Sequence, residues 1–470
     1  MKHQFVFWFV EMLISFWPTN SERKSTRIIN LLYVSALTLS MKKNTPPLQK
    51  FNQNLESLRG YSALFVVICH IVTFNYLFNR FYVPRLLVEL SPNGSMWVLV
   101  FFVLSGFVIA ISNKVDSKSE SIGLYLKKRF VRIYPIYFIS LIVTLLVSTF
   151  NYSLFEIVMN FAMMQVLIVP PFIENGPAWS LHYEVLYYLL FIPVSFLRLN
   201  PVIVLFICLI IALGNYSFYP NLQTPIISSY LFGFVFWISG LCIAKFAIVA
   251  SKAIDYKVLI SVLFMMLSLS EILTRSGLTE VFDHLFFFIV HKHLLYPKIA
   301  DTTKIIISYQ SLVFLPFCIC AVNVFSGKKF KHHKVLFVFL HIFIISGIVL
   351  TARDYFLLGK KSEHIFHFFI SVGYYVISLI FPFLNFGFLT KISGAIIRFG
   401  AWLGSISYAM YIVHCPLIFA MGRVNFLNNN LSTFVLRFII FMCVLIGLSY
   451  LLERALQPAI KKLVMGNPSL

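Results

Sequence analysis

Charged residues are scarce in this sequence, and acidic residues are the scarcest. Only 12% of the 470 residues are charged, and 17 acids stand against 38 lysines and arginines. Hydrophobic residues make up 59% of the chain, and the mean hydropathy is +0.86. A water-soluble protein with this balance would expose far too much apolar surface. The composition therefore excludes an ordinary soluble enzyme and indicates a protein whose solvent is a lipid bilayer.

The sequence also lacks a cysteine framework. Its seven cysteines all lie inside apolar runs, where cysteine usually serves as a small hydrophobic residue. Cys318 and Cys320 have neither the spacing of a metal site nor that of a redox motif. We therefore predict no disulfides, no metal site and no bound cofactor.

Apolar runs of about 20 residues, enough for one helix to cross a bilayer, recur along the chain. They lack the alternating pattern of membrane β-strands. The sequence therefore predicts an all-α fold, a polytopic membrane helical bundle with about ten to twelve transmembrane helices. The candidate spans are residues 61–78, 96–112, 133–150, 180–197, 201–214, 226–246, 257–272, 305–325, 335–350, 365–389, 400–421 and 433–452.

The basic residues account for the net charge of +21 without a nucleic-acid partner. They cluster between apolar runs, as the positive-inside rule describes. Residues 113–132 carry six of them, whereas residues 151–179 carry none. This asymmetry predicts that residues 113–132 and both chain ends face the cytoplasm, and that residues 151–179 lie on the outer side.

Three regions follow from these patterns. Residues 1–50 form a cytoplasmic or interfacial extension, because "FVFWFVEMLISFW" is too short to span and is interrupted by Glu11. Met41, which is followed by "KKNTPP", is an alternative start of the protein, and the sequence leaves that choice open. Residues 51–460 form the membrane domain, and residues 461–470 form a cytoplasmic tail.

Ionisable residues within apolar runs are costly, so each is a candidate site residue. Arg59 lies at the predicted cytoplasmic end of the first helix, and His70 lies about 16 Å deeper at 1.5 Å per residue. A snorkelling anchor is the alternative for Arg59. A core histidine that is hydrogen-bonded to a neighbouring helix is the alternative for His70.

Three further segments carry candidates. In "KKRFVRIYPIYF", Arg129 and Arg132 share a helix face and suit a phosphate, although a positive-inside anchor is an alternative. Glu184 in "WSLHYEVLYYLLF" lies four residues after Ser180, at the predicted outer end of its run. It is either a base or acceptor-orienting group, or the ion-pair partner of a buried arginine or histidine. In "LGSISYAMYIVHCPL" the spacing of Tyr411 and His414 puts them on one face, for interhelical hydrogen bonds or for catalysis.

Taken in order, these segments resemble the acyltransferase 3 family of integral membrane acyltransferases, which O-acylate carbohydrates and some other hydroxyl compounds. The family's first-motif arginine and histidine correspond to Arg59 and His70, its arginine pair to Arg129 and Arg132, and a glutamate to Glu184. The matching segments are "SLRGYSALFVVICH", "FFVLSGFVIA", "KKRFVRIYPIYF", "WSLHYEVLYYLLF" and "LGSISYAMYIVHCPL", followed by "LSYLLERALQP".

The resemblance implies a multi-pass enzyme of the bacterial inner membrane. An acyl group, usually acetyl, would pass from cytoplasmic acyl-CoA to a carbohydrate such as O-antigen or exopolysaccharide. Its partners would be the bilayer, acyl-CoA as donor and the carbohydrate acceptor. Direct transfer and a transient acyl-histidine both stay open. The implied roles are catalysis by His70 and Glu184, and substrate or donor binding by Arg59, Arg129, Arg132, Tyr411 and His414.

Two other functions stay open at this stage. A secondary transporter also has many helices and buried ionisable residues, although the sequence shows no paired interrupted helices in corresponding halves. A glycan polymerase or ligase has several spans and essential arginines, but we expect its chemistry on the outer face. Binding and hydrolysis of acetyl-CoA would separate both functions from an acyltransferase.

Overall fold

The computed structural model of the chain describes residues 48–112, 122–217, 225–249, 254–275, 306–330, 333–357, 365–424 and 430–466. The predicted extension before residue 48, including Met41, lies outside the described residues. So do residues 113–121 of the basic segment 113–132, and the last four residues.

The described chain is almost entirely helical. Three short 3₁₀ helices (Ile173–Ala178, Tyr309–Phe314 and Phe381–Phe383) and two π-helical turns (Arg353–Leu357 and Leu451–Leu456) interrupt the α-helices. A two-residue antiparallel pair joins β1 (Ile248–Val249) to β2 (Lys328–Lys329). In chain order the α-helices are α1 (Leu48–Thr73), α2 (Asn75–Phe78), α3 (Arg85–Glu89), α4 (Gly94–Ser112), α5 (Ile122–Val147), α6 (Leu154–Phe161), α7 (Trp179–Phe196), α8 (Pro201–Ser217), α9 (Pro225–Phe246), α10 (Tyr256–Arg275), α11 (Leu315–Phe325), α12 (His333–Ala352), α13 (Ile365–Ile380), α14 (Gly387–Gly404), α15 (Ser407–Gly422), α16 (Leu431–Tyr450) and α17 (Gln457–Met465).

The all-α polytopic membrane fold is confirmed. Within the described residues, six helices are long and apolar enough to cross a membrane, or seven if the bent pair α13 and α14 counts as one span. Three shorter apolar helices accompany them, at Pro201–Tyr216, Tyr309–Phe325 and Ser407–Gly422. The ten to twelve transmembrane helices predicted from the sequence also include these shorter helices and helices with more polar residues. Helices suit this solvent because they satisfy their backbone polar groups internally.

Besides the run 61–78, which breaks at Phe74 between α1 and α2, two predicted spans do not coincide with single helices. The run 365–389 contains Pro382, which cannot continue a helical hydrogen-bond ladder. There α13 ends, and α14 leaves at an angle of 117°. The run 400–421 is likewise divided, because α14 ends at Gly404 and α15 begins at Ser407. Both predicted boundaries were therefore wrong.

Two helix contacts fix the position of the site. Helix α15 runs beside α1 and α2 in the same direction, since His414 lies beside His70 and Gly422 lies against Leu77. Helix α4 lies against α9 through Gly106 and Gly240, where an added Cβ would collide with the backbone of the opposite helix. Small residues allow this close approach between membrane helices.

Candidate active site

A cavity of about 530 Å³ lies among α1, α4, α5, α7 and the junction of α14 with α15. Part of its wall is apolar and includes Val98 and Phe101, while Arg454 adds a basic group. Five of the seven predicted site residues share this wall, although they come from four different helices. They are Arg59, Arg129, Arg132, Glu184 and Tyr411.

Two of the three predicted arginines are already paired with carboxylates. Arg59 Nη1 lies 2.6 Å from Glu56 Oε1, one helical turn earlier. Arg132 Nη1 donates to Glu453 Oε2 at 2.9 Å and to Gln457 Oε1 at 2.8 Å. Glu453 is buried in the π-helical turn that follows α16, a local form that often marks functional sites.

Arg129 has a different environment. Its guanidinium carbon lies 5.7 Å from the ring centre of Tyr125 and 5.8 Å from that of Tyr188. Its Nε atom is buried and has no hydrogen-bond partner among the described residues. Because an unpaired buried donor costs free energy, Arg129 is the arginine best prepared to accept an anionic ligand.

Glu184 is held by hydroxyl groups. Its Oε1 atom accepts hydrogen bonds from Tyr188 at 2.5 Å and from Ser105 at 2.8 Å. Ser105 Oγ in turn accepts a hydrogen bond from Trp237 Nε1 at 3.2 Å. Glu184 forms no ion pair in the described part of the chain, so the alternative of a partner arginine or histidine was wrong there.

Ser180, which was predicted at the outer end of its run, is the second residue of α7. Ser180 is buried, and its Oγ atom lies 2.8 Å from the Tyr411 hydroxyl at the cavity wall. The 3₁₀ helix Ile173–Ala178, which immediately precedes α7, packs against α15 and brings Ser180 to this position. Glu184 faces the same cavity as the arginines.

The predicted residues His70 and His414 are not among the described residues of the cavity wall. They form a pair beyond Tyr411, and His414 Nε2 lies 3.1 Å from His70 Nδ1. His414 is three residues after Tyr411, which is about 5 Å farther along α15. His414 is fully buried, whereas His70 is partly exposed.

Cys415 lies beside this pair and raises the question of a metal. Its Sγ atom is 3.3 Å from His414 Nε2, and the three donor atoms lie within 4.8 Å of one another. Histidine and cysteine are zinc ligands. However, His70 Nδ1 also lies 3.0 Å from the Val66 carbonyl oxygen, and this contact requires a proton on that nitrogen. The arrangement therefore favours a hydrogen-bonded pair over a metal centre.

Other polar residues near the site have structural roles. His182 lies between the Met163 carbonyl at 2.6 Å and the Tyr230 hydroxyl at 2.7 Å. In the segment before α7, Ser153 caps α6, and its backbone N–H and hydroxyl donate to Glu156 and lower the pKa of that carboxyl. These contacts position α6 and α7 without reaching the cavity.

Sequence reasoning missed four polar residues of this region. Ser105 and Glu453 lay within quoted segments, "FFVLSGFVIA" and "LSYLLERALQP", but neither was singled out. Glu56 precedes Arg59 by three residues, a spacing that suggests an ion pair on a helix. Arg454 follows Glu453 directly. The polar residues of the closing segment could have been noted, but only the fold brings them to the cavity.

Comparisons with known proteins agree with the sequence resemblance. The family model described as an acyltransferase domain matches residues 52–291, just over half of the chain. "Acyltransferase MdmB" of Streptomyces mycarofaciens is 32% identical over 152 residues, which cover 29% of this chain and 38% of the relative. "Protein 2 in picA locus" of Rhizobium radiobacter is 37% identical over 90 residues, covering 18% of this chain and 40% of the relative. The matched part thus spans about two fifths of each relative. No solved structure matches.

Proposed function

The chain belongs to the acyltransferase 3 family, and on that premise we propose that it moves an acyl group, with acetyl as the first expectation, from acyl-CoA to a carbohydrate hydroxyl. The carbohydrate would be lipid-linked or at the cell surface. The observation that carries the proposal is the shared cavity, in which Arg59, Arg129 and Arg132 lie with Glu184.

The donor matches the composition of the cavity. Coenzyme A carries several phosphates at one end and a thioester at the end of a long arm. Guanidinium groups form paired, charge-assisted hydrogen bonds with phosphate oxygens. Arg129 is the first candidate for this contact, since its Nε atom is buried and unpaired among the described residues. The apolar wall towards Tyr411 would then receive the arm.

His70 is the proposed base. The cavity wall reaches Tyr411, and His70 lies beside His414, about one helical turn farther along. The thioester would therefore react at the Tyr411 end of the cavity. Glu184, which is fixed by Ser105 and Tyr188, would assist the base or orient the acceptor. Direct transfer and a transient acyl-histidine both fit this arrangement.

We further propose that the basic side of the cavity faces the cytoplasm of a bacterial inner membrane, with both chain ends on that side. Two observations support this orientation. Acyl-CoA is a cytoplasmic metabolite, and the first part of α5 carries four bases, Lys127, Lys128, Arg129 and Arg132.

The test is donor binding and transfer by purified protein. Wild-type protein should bind acetyl-CoA and acylate the acceptor. Acylation is measured as a mass shift of the acceptor in membranes that carry the protein. His70→Gln and Glu184→Gln should keep donor affinity but lose transfer by about 100-fold or more, the size expected for general acid–base groups. His341→Gln, at a histidine that contacts Tyr375 in α13, is the matched control. A secondary transporter or a glycan polymerase or ligase should neither bind nor hydrolyse acetyl-CoA, so failure of wild-type binding would reject the proposal.

A further inference from the structure

We propose that His414 is a positioning residue for His70: together with the Val66 carbonyl it holds the ring proton of His70 on Nδ1, which leaves Nε2 free to react. This inference rests on the proposed function, because it assigns a role beside the proposed base. It differs from the sequence expectation, which assigned His414 to substrate or donor binding.

The first step concerns the protonation of His414. Its Nδ1 atom lies 2.6 Å from the backbone carbonyl oxygen of Tyr411. A carbonyl oxygen can only accept, so Nδ1 must carry the proton. In the neutral ring the other nitrogen, Nε2, is then an acceptor. Full burial of His414 favours the neutral ring, since a buried charge without a partner is costly.

The second step transfers this constraint to His70. Its Nδ1 atom lies 3.1 Å from His414 Nε2 and 3.0 Å from the carbonyl oxygen of Val66. Both neighbours are acceptors, so His70 Nδ1 carries the proton and donates. The neutral His70 ring therefore keeps its lone pair on Nε2. Two backbone carbonyls, one at each end of the pair, lead to a single assignment of both tautomers.

The third step is the chemistry that this tautomer allows. In direct transfer, His70 Nε2 takes the proton of the acceptor hydroxyl while the hydroxyl oxygen forms a bond to the acyl carbon. The carbon–sulfur bond then breaks, and the coenzyme A thiolate receives the proton from Nε2. While His70 is protonated, its Nδ1–H donates to His414 Nε2 and Val66 O, and a hydrogen bond from a charged donor is stronger than one from a neutral donor.

The Cys415 thiol competes with the His70 N–H for the lone pair of His414 Nε2. Its Sγ atom lies 3.3 Å from His414 Nε2 and could donate weakly to the same lone pair. This leaves the tautomer of His414 unchanged, since the Tyr411 carbonyl sets it. A metal held by the three residues would instead require His70 Nδ1 to lose its proton, which gives a clear contrast for the experiment.

The kinetic test uses two substitutions at one position. In His414→Gln the amide oxygen can reach the place of Nε2 and still accept from His70, whereas His414→Leu keeps volume but offers no acceptor. We expect kcat to fall about 100-fold in His414→Leu and by no more than about tenfold in His414→Gln, with the KM for acetyl-CoA unchanged in both. His341→Leu is the matched control. In a His70→Gln background, His414→Leu should cause no further loss, because the two residues act as a unit.

Three kinetic results would overturn the inference: full kcat in His414→Leu, equal losses in both variants with normal thermal stability, or additive losses with His70→Gln. A purely structural role would lower thermal stability and donor affinity together, rather than kcat alone.

A spectroscopic test separates this inference from the proposed function. Nitrogen NMR of ¹⁵N-histidine-labelled protein in membranes distinguishes protonated Nδ1 from protonated Nε2, and His70→Gln identifies the His70 signals. A proton on His70 Nδ1 supports the inference even if the protein fails to acylate a sugar. A proton on Nε2, or stoichiometric zinc that is lost in Cys415→Ala, overturns it even if acyl transfer is confirmed.

Discussion

The three predicted arginines of the cavity differ in whether they already form an ion pair with a carboxylate. Arg59 and Arg132 each have a carboxylate within 3 Å, at 2.6 Å and 2.9 Å. Arg129 instead contacts two tyrosine rings and has a buried, unpaired Nε within the described chain. A ligand phosphate would gain most from Arg129, since it would not have to displace a carboxylate there.

Replacement of Arg129 by alanine should weaken acyl-CoA binding about 10- to 100-fold, because a hydrogen bond to a charged group contributes about 1.5–3 kcal/mol. Arg129→Lys should restore part of the affinity, since an ammonium group keeps the charge without the planar geometry. Arg132→Ala should lower both affinity and thermal stability, because Glu453 is only 2% exposed and would lose its partner. Titration calorimetry with acetyl-CoA and thermal melts measure these effects.

The matched control is Arg85→Ala, at an arginine whose side chain is 73% exposed and which pairs with Glu89. It should leave donor affinity unchanged. Equal affinities for Arg129→Ala, Arg85→Ala and wild-type protein would return Arg129 to the role of a membrane anchor.

At the scale of elements, the close contact between α4 and α9 positions a hydrogen-bond partner of Glu184. Gly106 and Gly240 let the two backbones approach closely, and the neighbouring Trp237 donates to Ser105. Ser105 in turn donates to Glu184. A change in the spacing of these helices would therefore move a hydrogen-bond partner of the carboxylate.

Gly106→Ala should lower both the melting temperature and the transfer rate. An added Cβ would collide with the Trp237 carbonyl group, and overpacking of this kind costs about 1–3 kcal/mol. Gly373→Ala in α13 is the control, because a Cβ there meets nothing within 4 Å and alanine favours a helix. Thermal melts and transfer assays on both variants compare them. Identical melting temperatures would show that the α4–α9 contact has room for a side chain.

At the scale of the whole molecule, orientation decides whether the cavity can meet a cytoplasmic donor. We expect Ser153→Cys, just before α6, to react with an impermeant maleimide in intact cells, whereas Lys461→Cys in α17 should react only after permeabilisation. The reason is the positive-inside rule, since residues 151–179 have no base and Lys461 and Lys462 lie near the end of the chain. Mass spectrometry of the labelled protein reads the result, and the parent protein controls for the native cysteines. Reaction of Lys461→Cys in intact cells would reverse the orientation and remove the access of the cavity to acyl-CoA.

The sequence by itself determined the class of molecule and picked out most of the candidate site residues. Apolar runs fix a membrane helical fold because lipid admits few other backbone arrangements. Charge within such runs is costly, so Arg59, His70, Arg129, Arg132 and Glu184 stand out without any structure. The spacing of Tyr411 and His414 likewise put them on one helix face.

Only the tertiary structure decided which of these residues meet. The position of the 3₁₀ helix before α7 and the parallel contact of α15 with α1 depend on packing between distant segments. These contacts bring Ser105 to Glu184, Glu453 to Arg132, and His414 to His70. Helical periodicity specifies the face of a side chain within its own helix but not the partner helix, so these pairs could not be predicted from the sequence.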